Sequence, residues 1–314
     1  MPDSLLSRWS HPSVLLVATD LSDLDRLMPF ALAQATQTGA HLILLHAIAT
    51  AATVTVDSVG MPFYDPAAAI DAAEKALLPW CETAARRNIA CDAVVREGDA
   101  AQQIADAARQ FRADRIVLGT RGRSKLRKLL LGSVAEQVLR SANLPVMTVG
   151  PEAHLPVEAG EQPPIVLHAT TLRETSRPSA ALACQIAARH SARLVLLHVL
   201  PASADPKRKG EPTREEASVL NELRRLAAET ASGCCVEIEP LVVHGNPLIE
   251  ILATAASRHA SLIVLGATHR RAFENLTRDR TVLQVLAHAR CPVITLRESM
   301  SVPKDEPEHA AIHA

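Results

Sequence analysis

Short runs of Val, Ile and Leu alternate along this chain with longer stretches whose apolar residues recur every three or four positions. The short runs are too continuously apolar for half-exposed strands, so they predict strands buried on both faces. The longer stretches predict amphipathic helices. In the amino half, the pattern places strands over 13–19, 42–48, 91–96, 114–119 and 145–149. Helices fall between them, over 23–38, 66–88, 100–111 and 133–142. Buried strands separated by helices imply a parallel sheet covered on both faces, and right-handed crossovers make it doubly wound.

The pattern then repeats. "SVLLVATDLSDLDRLMPFALAQATQTGAHLILLHAIA" from Ser13 is answered by "PIVLHATTLRETSRPSAALACQIAARHSARLVLLHVL" from Pro164. "AVVREGDAAQQIADAARQFRADRIVLGTR" returns as "LVVHGNPLIEILATAASRHASLIVLGATH", and the halves close with "LPVMTVG" and "CPVITLR". A period of about 150 residues means a duplicated domain rather than a solenoid. The fold expected is therefore α/β, with two similar doubly wound domains of five parallel strands each. The division reads as an extension over 1–12, a domain over 13–150, a linker over 151–163, a domain over 164–297 and a disordered tail over 298–314. The linker is marked by its Pro, Gly and Glu content.

Composition narrows the function. Hydrophobic residues make up 48% and aromatics only 2%, so Ala, Leu, Val and Ile must build the core. The net charge of −1 argues against a general nucleic-acid or membrane-surface binder, and so few aromatics leave little for base stacking. The amino terminus lacks a signal-peptide pattern, and no apolar run has the length to cross a bilayer. The six cysteines show neither CxxC spacing nor a disulfide framework. These features predict a reduced, soluble, cytoplasmic protein.

Candidate chemistry gathers where the strands end. In open parallel sheets, ligands sit outside the carboxyl ends of the strands. Gly119 ends the strand "DRIVLG", Gly122 follows it, and Gly132 with Ser133 opens the next helix. Glycines permit positive φ and close backbone approach, while a helix amino terminus offers unpaired N–H groups suited to phosphate. Structural readings stand beside this one. Ser133 with Glu136 spells a capping box, either glycine alone can be a turn, and Asp20 can cap the helix after the first strand. The basic loop of Arg121, Arg123, Lys125, Arg127 and Lys128 is either a solvated charge run or a source of cations for phosphate, with Arg121 and Lys125 foremost.

The spacing Gly119-x2-Gly122-x9-Gly132-Ser133 resembles the ATP-binding signature of the universal stress protein family. "VATDLSD" with Asp20 and "LLHAI" resemble its other characteristic pieces, and two domains in one chain look like its tandem type. The resemblance implies the adenine-nucleotide alpha hydrolase-like fold and ATP as ligand, with Mg as a companion ion. It puts Thr19, Asp20 and the backbone of Ala47 at the adenine end. Gly119 and Gly122 would meet ribose and phosphate, and Gly132, Ser133 and Val134 would supply donors to the phosphates. It also implies that the carboxyl-terminal strands pair across a dimer-like interface, formed within the chain or in a homodimer.

The second copy departs from this pattern. Aligning "EQVLRSANLPVMTV" with "LQVLAHARCPVITL" matches Gly119 to Gly266 but Gly122 to His269, Gly132 to Asp279 and Ser133 to Arg280. Asp20 becomes Thr171. The second domain is therefore expected not to bind ATP as the first does. His168, His198, His244 and His269 all fall near strand ends there, which raises a zinc site or pH switch as an alternative to ordinary polar positions. The function expected is an ATP-binding stress-response regulator with an unidentified protein partner. A slow ATPase or nucleotidyl-transferring enzyme is the alternative, and FAD or coenzyme A is the competing ligand.

Overall fold

The computed structural model describes residues 3–48, 65–120, 131–155, 163–202, 213–231, 234–267 and 278–297. The first half runs β1 (Val14–Thr19), α2 (Leu24–Thr38), β2 (His41–Ile48), α3 (Pro66–Ala85), β3 (Cys91–Glu97), α4 (Ala100–Gln110), β4 (Arg115–Gly119), α5 (Ser133–Ser141) and β5 (Val146–Val149). The second half repeats it as β6 (Ile165–Ala169), α6 (Arg177–Arg189), β7 (Arg193–Leu200), α7 (Arg214–Thr230), β8 (Ile238–His244), α8 (Pro247–Ser257), β9 (Leu262–Ala267), α9 (Arg278–His288) and β10 (Val293–Arg297). Each expected strand and helix of the first half is present, with ends moved by at most a few residues.

All ten strands belong to one sheet, in the order β3-β2-β1-β4-β5-β10-β9-β6-β7-β8. Within each half the strands are parallel, and the halves join through an antiparallel pair of β5 and β10. The register there is reciprocal, with Val293 opposite Thr148, Ile294 opposite Met147 and Thr295 opposite Val146. Thr148 Oγ1 donates to the Val293 carbonyl and Thr295 Oγ1 to that of Val146, each at 3.3 Å. The seam therefore has the self-complementary form of a two-fold interface, built inside one chain. Gly150, just past β5, runs so close to α9 that a Cβ would lie 3.1 Å from the Leu286 carbonyl oxygen.

One face of the sheet carries a single apolar core fed by both halves, from Leu27, Met28 and Leu77 to Leu182, Leu194 and Leu223. The opposite face has a core in each half, both touched by Leu131 and Leu139. The extension holds an unexpected helix, α1 (Asp3–Ser10). It packs on α6 of the other half and buries Trp9. The fully buried Arg115 guanidinium donates to the Trp9 carbonyl, and Arg8 pairs with buried Asp114. Arg189 donates to the Ser7 and Ser10 hydroxyls. A charged residue opening β4 thus becomes interior because α1 covers the amino end of that strand. Among the described residues, no helix is long and apolar enough to cross a membrane.

Candidate functional site

In each half the strand order reverses between the first strand and the fourth, since β1 has β2 on one side and β4 on the other. The helices after β1 and β4 leave towards opposite faces, which opens a crevice at the carboxyl end of that strand pair. In the first half its walls are the turn after β1 and the end of β4.

The turn after β1 is tightly organised. Thr19 Oγ1 donates to buried Asp23 at 2.6 Å and accepts the Leu21 amide at 2.9 Å. Leu21 takes a left-handed φ of 72°, and Leu172 in the second half takes 60° with its amide on Thr170 Oγ1. Thr19 therefore shapes the turn with its hydroxyl, and its carbonyl accepts from His46 Nδ1 at 2.9 Å. Asp20 is half-buried, and its Oδ1 accepts both the amide and the hydroxyl of Ser22. It forms an Asx turn and does not cap α2, whose N-cap position belongs to Asp23. Ala47 lies in β2, opposite Arg96, one residue beyond His46.

Gly119 is small for a reason the sequence did not disclose. Its φ is not positive, so the left-handed freedom that glycine permits is not used there. A Cβ there would lie 2.3 Å from Asp23 Oδ2 and 3.3 Å from Arg26 Nη2. The missing side chain makes room for a buried carboxylate and its neighbouring cation. Burial, reinforced by the nearby Asp20 carboxylate, raises the Asp23 acid above its ordinary value, while Thr19 and Arg26 oppose the rise. Asp23 and Arg26 are the residues at this crevice that motif reading missed, because the signature counts glycines and not what fills the space they leave.

On the opposite wall, the Gly132 amide donates to the Thr120 carbonyl at 2.9 Å, which draws the start of α5 onto the end of β4. Gly132 is the N-cap, in an extended conformation open to any residue, and no side chain caps the helix. The expected Ser133–Glu136 capping box is absent, since Ser133 is the first helical residue and Glu136 pairs with Arg140. Ser133 and Val134 are exposed there, and amides of this first turn have no partner within the helix. An uncapped helix start beside the mouth of the crevice fits the needs of a phosphate group. Arg121, Gly122, Arg123, Lys125, Arg127 and Lys128 lie outside the described residues.

The second crevice differs. α9 begins at Arg278, so helix already runs through Asp279, the counterpart of Gly132. Gly266 lies within β9, paired with Leu296 of β10. His168 is fully buried, with Nδ1 on the Val264 carbonyl at 2.9 Å, while His198 Nδ1 meets the Thr170 carbonyl as His46 meets that of Thr19. His244 ends β8 and is exposed, and His269 lies outside the described residues. Among the described residues, no group of three or more His, Cys, Asp or Glu side chains is placed to hold a metal.

Comparison with known proteins agrees with this duplication. The model of the universal stress protein family matches twice, over residues 13–150 and 164–297. A universal stress protein of Bacillus subtilis is 31% identical over 144 residues, covering 43% of this chain and 97% of its own length. One of Mycobacterium tuberculosis is 28% identical over 192 residues, covering 60% of this chain and 63% of the relative. A shorter match, 47% identical over 53 residues, spans 17% of this chain and only 31% of a Methanocaldococcus jannaschii universal stress protein. The crystal structure of an Archaeoglobus fulgidus universal stress protein superposes with a TM-score of 0.67 at 21% identity, covering 91% of this chain and 98% of the other. Two family matches on two halves of one continuous sheet make this chain a tandem member of the universal stress protein family.

Proposed function

We propose that the first half binds ATP as a regulatory ligand in the crevice between β1 and β4, with the second half as its pseudo-dimer partner. The observation that carries this reading is the Gly132 amide closing on the Thr120 carbonyl, which seats an uncapped helix start at the end of β4. The phosphates would meet the amides of Ser133 and Val134 and the Ser133 hydroxyl, with Gly132 allowing close approach. The helix amino terminus contributes about 0.3–1 kcal/mol towards an anion at an exposed end. Asp20, the carbonyl side of Ala47 and the turn held by Thr19 form the adenine end. Arg26, beside Gly119, adds a cation, and Gly122 and Arg121, which follow Gly119 in the sequence, would add to the cradle. Mg is the natural counterion of the triphosphate.

The protein works as a binder rather than a hydrolase in this reading. Asp20 holds Ser22, and Asp23 holds Thr19, so both carboxylates already serve the turn. Occupancy would report nucleotide level to a protein partner in the cytoplasm under stress.

Calorimetric titration of the full-length chain with ATP tests the proposal, with one site per chain expected. Ser133→Glu puts a carboxylate where the phosphates would sit, yet acidic residues suit the first turn of a helix. It should weaken ATP at least about tenfold while leaving the melting temperature unchanged, since about 1.4 kcal/mol of lost interaction suffices. Two equal sites, unchanged affinity in the variant, or FAD released from purified protein would each reject the reading. Single-turnover measurement of ADP separates binder from ATPase.

A further inference from the structure

Four of the six cysteines stand in two thiol pairs that the nucleotide crevice does not use. Cys81 lies near the end of α3 and Cys91 opens β3, and their side chains are in hydrogen-bond contact where that helix packs on that strand. Cys184 of α6 and Cys234, just ahead of β8, make the same contact in the second half. The pairs differ in access. Cys81 and Cys91 are both partly exposed, whereas Cys184 is buried.

Backbone geometry brings the first pair together. After α3 the chain reverses through Asn88, whose φ is 58°, and the Ile89 amide returns to the Ala84 carbonyl. That reversal lays Cys91 beside the helix turn carrying Cys81. Contact with the Cys91 side chain holds the Cys81 thiol below its ordinary value, against burial and the Asp92 carboxylate. Cys91 is pushed up by the same contact and keeps its proton. Asp92 itself is occupied by His41 Nε2, at 3.0 Å. One sulfur is thus the better nucleophile, and the other is a protonated thiol waiting in contact.

We propose that Cys81 and Cys91 form a redox-modification site, closing into an intrachain disulfide between α3 and β3 on reaction with a peroxide. The Cys81 thiolate attacks one peroxide oxygen and the O–O bond breaks. The departing oxygen takes up the proton that Cys81 released and leaves as water or alcohol, which makes Cys81 a sulfenic acid. The Cys91 sulfur then attacks the Cys81 sulfur, the S–O bond breaks, and the hydroxyl leaves as water with the Cys91 proton. Two thiols are oxidised for each peroxide reduced. The product pins the carboxyl end of α3 to the edge of the sheet.

The test treats reduced full-length protein with stoichiometric hydrogen peroxide, counts remaining thiols and maps tryptic peptides without reductant. Trypsin cuts after Arg86 and Arg87, between the two cysteines, so a bridged pair is distinguishable. The expected result is loss of two thiols, a linked Cys81–Cys91 peptide and full reversal by dithiothreitol. Cys81→Ser should abolish the product, and Cys91→Ser should leave a sulfenic acid on Cys81 that dimedone traps. A first product linking Cys184 to Cys234, a cross-link between chains through exposed Cys235, or irreversible Cys81 oxidation without a linked peptide would overturn the proposal. Mapping of the unsubstituted chain decides the matter if either serine variant fails to fold.

Discussion

His168 is the clearest case of a residue whose chemistry is set by where it ends up. Its counterpart in the first half is Val17, and it occupies the same interior position with a fully buried ring. Desolvation lowers its pKa to about 4, with the bond to the Val264 carbonyl opposing. The unfolded chain takes up this proton near pH 6.5 and the folded one resists until about 4. Stability is therefore intact above the first value and is lost as pH falls towards the second, by about 3 kcal/mol if the whole difference is realised. Urea titrations at pH 7, 5.5 and 4.5 should show this loss in the parent, and His168→Val should flatten it. Gly119 teaches a related lesson. It drew attention through its spacing to Gly122, Gly132 and Ser133, but what its small size accommodates is the Asp23 carboxylate, which comes from another element.

Among elements, the strands and the helices between them were read well because burial on both faces forces uninterrupted Val, Ile and Leu. The start of α5 was read less well. Ser-x-x-Glu is a capping pattern, yet the Gly132–Thr120 bond shifts the cap to Gly132 and leaves Glu136 to Arg140. Helix α1 was missed because eight residues of "DSLLSRWS" carry too short a period, and its apolar partner is α6, far along the chain. Trp9 is the anchor of that contact. Trp9→Ala should cost about 3–5 kcal/mol, the usual range for a buried aromatic, measured by chemical denaturation. It should also raise proteolysis at residues 1–12, because α1 would lose its hold.

For the molecule as a whole, the pairing of β5 with β10 joins the inner edges of the two five-stranded halves. Among the described residues, the outermost strands of the sheet are β3 and β8. An isolated first half ending after β5 would expose Val146, Met147 and Thr148 as an open edge, a template for strand pairing. Sedimentation should find that fragment dimeric or larger through β5, and Met147→Pro should remove the pairing, since proline cannot donate to the ladder. A fragment that stays monomeric at tens of micromolar concentration would mean that the seam depends on α1 and the linker instead.

The chain's own pattern was enough to determine two copies of a doubly wound domain, their strands and helices, and a crevice at the carboxyl ends. Local periodicity and duplication record these directly, because each strand must be apolar along its whole length wherever it sits. Only the tertiary structure decided that Asp23 fills the space at Gly119, that Arg115 is interior, that two cysteine pairs touch, and that the halves share one sheet. Those outcomes depend on side chains from distant segments meeting in three dimensions, and residue order alone carries no distance between them.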